Sequence, residues 1–314
     1  MTIDAGLLPD FASAPSGLRR APDRAAGDYG FIEIGIGIDS DTDSKKQLGL
    51  AGSSLMHRDE LQRAFVLHRR DFSNTSLIVE VFTDLHGRLP VMAKGAKRGR
   101  AALAALLQPF QPLWVAWSGR GEVRTLTRAE AAGRALPLTG TALYCGLYVN
   151  ELLLRLLGRD DPHEELFPHY QLALDALSRG DAIQTRLRQF ELRLLDAIGY
   201  RVVLDQEADG GPRVRSGCRY RYINAQGLVL AAAADTGAIV SGETLHLLMD
   251  GTELTGHHAR EARDLLRTVL APYLGERPLK SRELFRRLES NRGASPTGRL
   301  PAASTPTPIE TFEQ

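Results

Sequence analysis

Four cations fall within seven residues at Lys94-Gly-Ala-Lys-Arg-Gly-Arg100, spaced by glycine and alanine. Lys94, Lys97, Arg98 and Arg100 have no carboxylate beside them in the sequence. Gly95 and Gly99 let the backbone turn with φ above zero and come close to a ligand. Such a loop suits a polyanion, because phosphate contacts require charge and close approach rather than a shaped pocket. The bland alternative is a solvated basic turn. Three further cations, Arg120, Arg124 and Arg128, follow Trp114 and Trp117. Cations interleaved with aromatic rings suit single-stranded nucleic acid: the cations track phosphates while the rings, Phe72 among the candidates, stack bases at roughly 1–3 kcal/mol each. Against this, the tryptophans could be core. Three apart on one strand they face opposite sides, so at most one can be fully inward.

Chemistry of the catalytic kind is thin. The acids are scattered, and no Gly-x-Ser-x-Gly, Walker loop or His-Glu-x-x-His occurs. His257-His258 is adjacent rather than at helix-face spacing, which is poor for joint metal ligation. Gly35 and Gly37 form a GxG without a third glycine or a helix behind it, and carry no weight as a nucleotide site. Cys145 and Cys218 have no metal-like or framework spacing and fit a reducing compartment. These absences predict a protein that is not an enzyme and needs no cofactor or metal. One binding candidate lies elsewhere: Arg188 and Phe190, on a helix also carrying Arg186 and Arg193. Arginine beside an apolar groove can capture an acidic, hydrophobic peptide tail, although a solvated helix face is the commoner role.

These residues need elements to hold them. From Arg63 to Arg128 eleven cations accompany only five carboxylates between Asp71 and Glu130, while the whole chain of 314 residues has a net charge of only +1. Any polyanion must therefore be bound by a local patch, not by a global field. The cationic region reads as five short strands: Arg63–Arg69, Ser76–Thr83, Arg88–Ala93, Pro112–Ser118 and Glu122–Arg128. Thr83 to Gly87 makes the second and third a hairpin, with Gly87 left-handed. An Ala/Leu helix over Ala101–Leu107 sits between the third and fourth strands. This is the parts list of an OB-type barrel, with an SH3-like barrel as its rival. The helical part follows. Thr141–Leu157 is apolar nearly all round and should be central to a bundle. His163–Leu177 and Ala182–Ile198 are amphipathic, the latter opened by a weak Asp181/Gln184 capping box and closed by Gly199. Tyr200 to Val240 is glycine-rich with a hairpin after Tyr220. Helices over Glu243–Met249, His257–Leu274 and Ser281–Leu288 close the chain.

The predicted organisation is an α+β chain. Residues 1–55 are a disordered extension, and Met56 opens a different composition as a candidate translation start. Residues 56–135 form an OB-fold nucleic-acid-binding domain. Residues 136–290 form a helical domain with the insert at about 200–240, and 291–314 a disordered tail. No apolar run spans a membrane and no export signal opens the sequence, so a cytoplasmic, nucleoid-associated protein is expected.

Several ordered stretches resemble the RecO family of bacterial recombination mediators. They are Gln62-Arg-Ala-Phe-Val-Leu-His68, Ala93-Lys-Gly-Ala-Lys97 with Leu107-Gln-Pro-Phe110, Gly119-Arg-Gly-Glu-Val123, Gly146-Leu-Tyr-Val-Asn-Glu-Leu152, Arg188-Gln-Phe-Glu-Leu192 and Lys280-Ser-Arg-Glu-Leu-Phe285. The resemblance implies an N-terminal OB fold, a helical domain and a C-terminal zinc-ribbon-like segment. It implies binding of single- and double-stranded DNA, annealing of strands coated by single-stranded DNA-binding protein, and recombinase loading with RecR. It also implies that Arg188 and Phe190 take the C-terminal tail of single-stranded DNA-binding protein. Many relatives hold zinc with four cysteines, but between Tyr200 and Val240 this chain has only Cys218 and no histidine, so the insert is expected to be zinc-free. Two rival readings stay open: an OB module for structured RNA, and an adaptor whose basic barrel docks acidic peptides.

Overall fold

The computed structural model describes residues 61–97 and 101–293. The N-terminal extension with Met56, the loop residues Arg98, Gly99 and Arg100, and residues 294–314 lie outside the described residues.

Five strands form a closed barrel: β1 (Gln62–Phe72), β2 (Ser76–Thr83), β3 (Gly87–Ala93), β4 (Pro112–Ser118) and β5 (Arg124–Ala131), in the order β1-β2-β3-β5-β4. All neighbours are antiparallel except β3 and β5, whose parallel contact at Val91–Arg124 and Met92–Thr125 is part of the closure. A short helix α1 (Ala101–Leu106) lies between β3 and β4. This is the OB-type arrangement. Its interior is filled by alternate residues, Val66, Val79, Val81, Leu89, Val91, Leu113 and Val115, all without exposure, as period-two strands require. The β2–β3 turn is locked by the Thr83 hydroxyl, which donates to Gly87 O and accepts from His86 N. Gly87 sits at φ +63°. The last strand starts at Arg124 rather than Glu122, because its register is fixed by pairing Leu113 with Ala131 across β4.

Seven helices in all complete the described chain. α2 (Gly140–Leu156) touches β1 and the next two helices, α3 (Leu166–Arg179) and α4 (Ile183–Ala197), so the helix with the most uniform apolar surface is indeed central. Between them runs a core built on Leu152, Leu153, Phe167, Tyr170, Leu174 and Phe190. The outer face of the barrel joins that core: Phe65 and Phe82 stand 5.2–5.7 Å from the rings of Phe167 and Tyr170. α4 does not open on a capping box. Asp181 is held by Arg179 at 2.9 Å, and the capping position is Ala182, left-handed at φ 41° and without a side-chain acceptor.

The insert forms a three-stranded sheet, β6 (Arg219–Ile223), β7 (Gly227–Leu230) and β8 (Ile239–Ser241), with the expected hairpin between β6 and β7. It packs Tyr220, Leu228 and Val240 against α5 (Gly242–Asp250) and α6 (Gly256–Leu274). Cys218 is half-buried against this core. A lone thiol does not fit a tetrahedral zinc site, and among the described residues no three His, Cys, Asp or Glu side chains gather to hold a metal. α7 (Lys280–Gly293) runs into the stretch expected to be disordered. No helix among the described residues is long and apolar enough to cross a membrane.

Candidate nucleic-acid interface

The basic loop leaves β3 at Ala93 and is pinned at its middle. Ala96 is fully buried in the barrel core, and Lys97 N donates to Thr75 O at 3.0 Å. Gly95 is left-handed at φ +69°, with open space where a Cβ would stand. The backbone here is bare, as close approach to a ligand requires. Lys94 is exposed. Lys97 differs from the reading of its neighbours. Its ammonium meets Asp71 Oδ2 at 2.8 Å and Ser73 O at 3.3 Å, from the far end of β1. Sequence adjacency could not show a carboxylate 26 residues away. Asp71 is itself largely exposed, so the pair is weak and an incoming phosphate can compete for the lysine. Arg98 and Arg100 lie outside the described residues.

The second cation group is not one patch. Arg120 is exposed on the loop after β4. Arg124 is drawn to the seam with the helical part: it pairs with Asp160 at 2.7 Å and lies 5.9 Å from the Trp117 ring. Arg128 is exposed and paired with Glu130 at 2.6 Å. The tryptophans divide as alternation allows. Trp117 packs partly into the barrel core and meets His86 edge-on at 5.2 Å, while Trp114 is 37% exposed. Trp114 and Phe72, 44% exposed, are thus the rings free to stack a base.

Arg188 lies almost wholly inside. Its guanidinium, 6% exposed, donates to Glu191 Oε1 at 2.9 Å, and Glu191 has no exposure at all. The Tyr148 hydroxyl donates to the same oxygen at 2.7 Å. Burial pushes the Glu191 carboxyl up, with Arg188 opposing it. Arg188 Nε and Glu191 Oε2 are left without hydrogen-bond partners. Phe190, 2% exposed, belongs to the core beside Tyr170 at 6.2 Å. It shapes the interior beneath the pair rather than a surface. Cys145, beside the pair, is pushed up to about 11 by burial, which leaves an unreactive thiol.

Two residues went unread in the sequence. Asn150 and Glu151 interrupt the most apolar helix of the chain, and polar residues in that setting are a signal. Asn150 Nδ2 donates to Leu67 O at 3.1 Å, and its Oδ1 accepts from Tyr170 at 2.7 Å. Glu151 accepts from Lys280 N and Ser281 N, each at 2.9 Å, and from the Ser281 hydroxyl at 2.7 Å, so it caps α7.

Comparison with known proteins agrees with this architecture. Residues 56–134 match the family model "Recombination protein O N terminal", and residues 137–283 match "Recombination protein O C terminal". A protein of Methylococcus capsulatus named DNA repair protein RecO is 50% identical over 226 residues, 72% of this chain and 93% of that protein. Proteins of the same name from Nitrosospira multiformis and Serratia proteamaculans are 44% and 45% identical. They cover 74% and 73% of this chain, and 97% and 94% of their own lengths. With both halves of the family matched in order, and the matched spans enclosing the barrel and the helical part, the chain belongs to the recombination protein O (RecO) family.

Proposed function

We propose that the chain is a DNA-binding repair mediator that acts without catalysis. It binds single- and double-stranded DNA through the barrel, anneals complementary strands coated by single-stranded DNA-binding protein, and with RecR helps load the recombinase. The observation that carries this reading is the basic loop. A closed OB-type barrel presents Lys94 and the bare backbone of Gly95 beside a lysine whose one ion-pair partner is an exposed carboxylate. Annealing requires that two phosphate backbones be neutralised while base edges stay free, and lysine and arginine contacts to phosphate supply this without a nucleotide. The relatives' name, DNA repair protein RecO, supports the same role. The test is annealing of complementary strands coated by the cognate single-stranded DNA-binding protein, across a salt series. Accelerated annealing with salt-sensitive binding is expected; salt-insensitive binding would fit an adaptor, and tighter binding of structured RNA an RNA module.

The acidic tail of single-stranded DNA-binding protein is proposed to dock over Arg188. The Nε edge of Arg188 is unsatisfied but buried, so a tail carboxylate takes it once the chain over the pair opens, while Phe190 supports Arg188 from the core beneath.

A further inference from the structure

The part of β1 beyond the barrel has two faces. A bulge at Leu67 resets its alternation, so that His68 lies opposite Glu80, Arg70 opposite Ile78 and Phe72 opposite Ser76. Cross-strand partners share a face, and Glu80 shares its side of β2 with Phe82, which packs on the helical part. Arg69 and Asp71 point the other way: Arg69 donates to Ala104 O on α1, and Asp71 holds Lys97 of the basic loop. One face of β1 thus serves the basic loop. The opposite face carries His68, Arg70 and Phe72, all exposed.

That opposite face continues onto α7. Asn150 and Glu151 are consecutive on α2; the first grips β1 at Leu67 and the second grips α7 at Lys280 and Ser281. Adjacent residues of one helix therefore tie the His68 stretch of β1 and the start of α7 to the same turn of α2. Two carboxylates lie near this face: Glu80 of β2, engaged by Arg88 at 3.6 Å and Arg159 at 3.1 Å, and Glu151 of α2, engaged by Arg155 at 3.1 Å and by the start of α7. Arg70 and Lys280 are exposed, and neither has an ion pair among the described residues. With both carboxylates already engaged, Arg70 and Lys280 are the charges left free on this face.

We infer that this seam, from Phe72 and Arg70 through His68 to Lys280, is a second phosphodiester track that holds the complementary strand on the face of β1 opposite the basic loop. The inference rests on the DNA-annealing reading and adds where the second backbone runs. Each backbone is neutralised on its own side of the β1 extension before its bases pair. His68 gives the track a signature. Although one edge of the ring reaches solvent, partial shielding from water is the first thing that holds its imidazole below the usual range, followed by Lys280 of α7 and Arg70 of β1, with Glu80 of β2 opposing. A phosphate on the track favours the imidazolium, so binding there takes up a proton and tightens as pH falls from 8 to 6.

The experiment uses the full chain with Arg70→Glu and Lys280→Glu together. Both side chains are exposed, so the fold is kept, and melting checks this. Binding of a labelled single strand should stay within about twofold of the parent, while the annealing rate should fall by about tenfold or more and the salt slope of duplex binding by nearly two units, at about 0.9 per phosphate contact. His68→Gln should abolish the tightening of duplex binding at lower pH. Normal annealing and an unchanged duplex salt slope in the double variant would overturn the track. So would a loss of single-strand binding equal to the loss of annealing, because the two faces would then be one site. A parent chain that binds no single strand overturns the DNA reading itself, and the track with it.

Discussion

Arg188 and Glu191 form a pair that is almost fully out of water, and at this scale removal of one partner matters more than the pair itself. Arg188→Ala strands a buried carboxylate, and we expect a loss of roughly 3–5 kcal/mol, read as a lower urea midpoint. Replacing both partners together with the hydroxyl that bonds them, Arg188→Met, Glu191→Leu and Tyr148→Phe, should recover most of that loss, since apolar side chains of similar volume carry no desolvation cost. This combined variant is also the cleaner probe of the proposed tail site. It should fold, bind naked DNA as the parent does, and lose affinity for the acidic tail peptide. Tail titrations superimposable on the parent's would remove Arg188 from the site. The type and neighbours of Arg188 were readable in the sequence. Glu191, three residues along the same helix, was readable too; the burial of the pair was not, because α2, which brings the Tyr148 hydroxyl onto Glu191, covers it from another part of the chain.

Two elements concentrate the remaining polar chemistry. The first is the basic loop. Replacing Lys97, Arg98 and Arg100 together should flatten the log–log salt dependence of single-strand binding by roughly two units, at about 0.7 per contact. It should weaken all sequences about equally, since no base edge is read. A parental salt slope in the triple variant would return the loop to a solvated turn. The second element is the clamp between β8, α5 and α6. Ser241 caps α5 by accepting from Thr244 N, while Glu261 of α6 accepts from Ser241 N, Ser241 Oγ and Thr244 Oγ1 at 2.6–2.9 Å. Burial pushes the Glu261 carboxyl up, but these hydrogen bonds prevail and hold it below the usual range. A depressed carboxyl stabilises the fold above its unfolded pKa and loses that contribution as pH falls through the folded value. Glu261→Gln should therefore lower the melting temperature at pH 7 and lower it progressively less as the pH falls below the usual carboxylate range. Equal melting of the two proteins at pH 7 would show that the clamp contributes nothing.

Across the whole molecule, barrel and helical part are welded at a seam. Phe65 and Phe82 interlock with Phe167 and Tyr170, Asn150 hooks β1, and the loop after α2 lies against β3, where Asp160 N donates to Arg88 O at 2.8 Å. Gly87 is the tightest point. A Cβ there would stand 1.8 Å from Asp161 O, and the residue is left-handed besides. Gly87→Ala should cost at least about 2 kcal/mol. Leu85→Ala, in the same turn but exposed, should change stability by no more than about 0.5 kcal/mol. Equal melting of the two variants would mean that the seam yields. From the sequence alone came the five strands, the helix between the third and fourth, the central place of α2, the left-handed Gly87 and the location of the excess cations. Each follows from period, turn chemistry or local charge, which neighbours along the chain carry. The tertiary structure alone decided which cations stay free. Lys97 finds Asp71 and Arg124 finds Asp160, while Arg70 and Lys280 come to one face from opposite ends of the described chain. Coulomb energy depends on distance through space, and sequence separation does not report it.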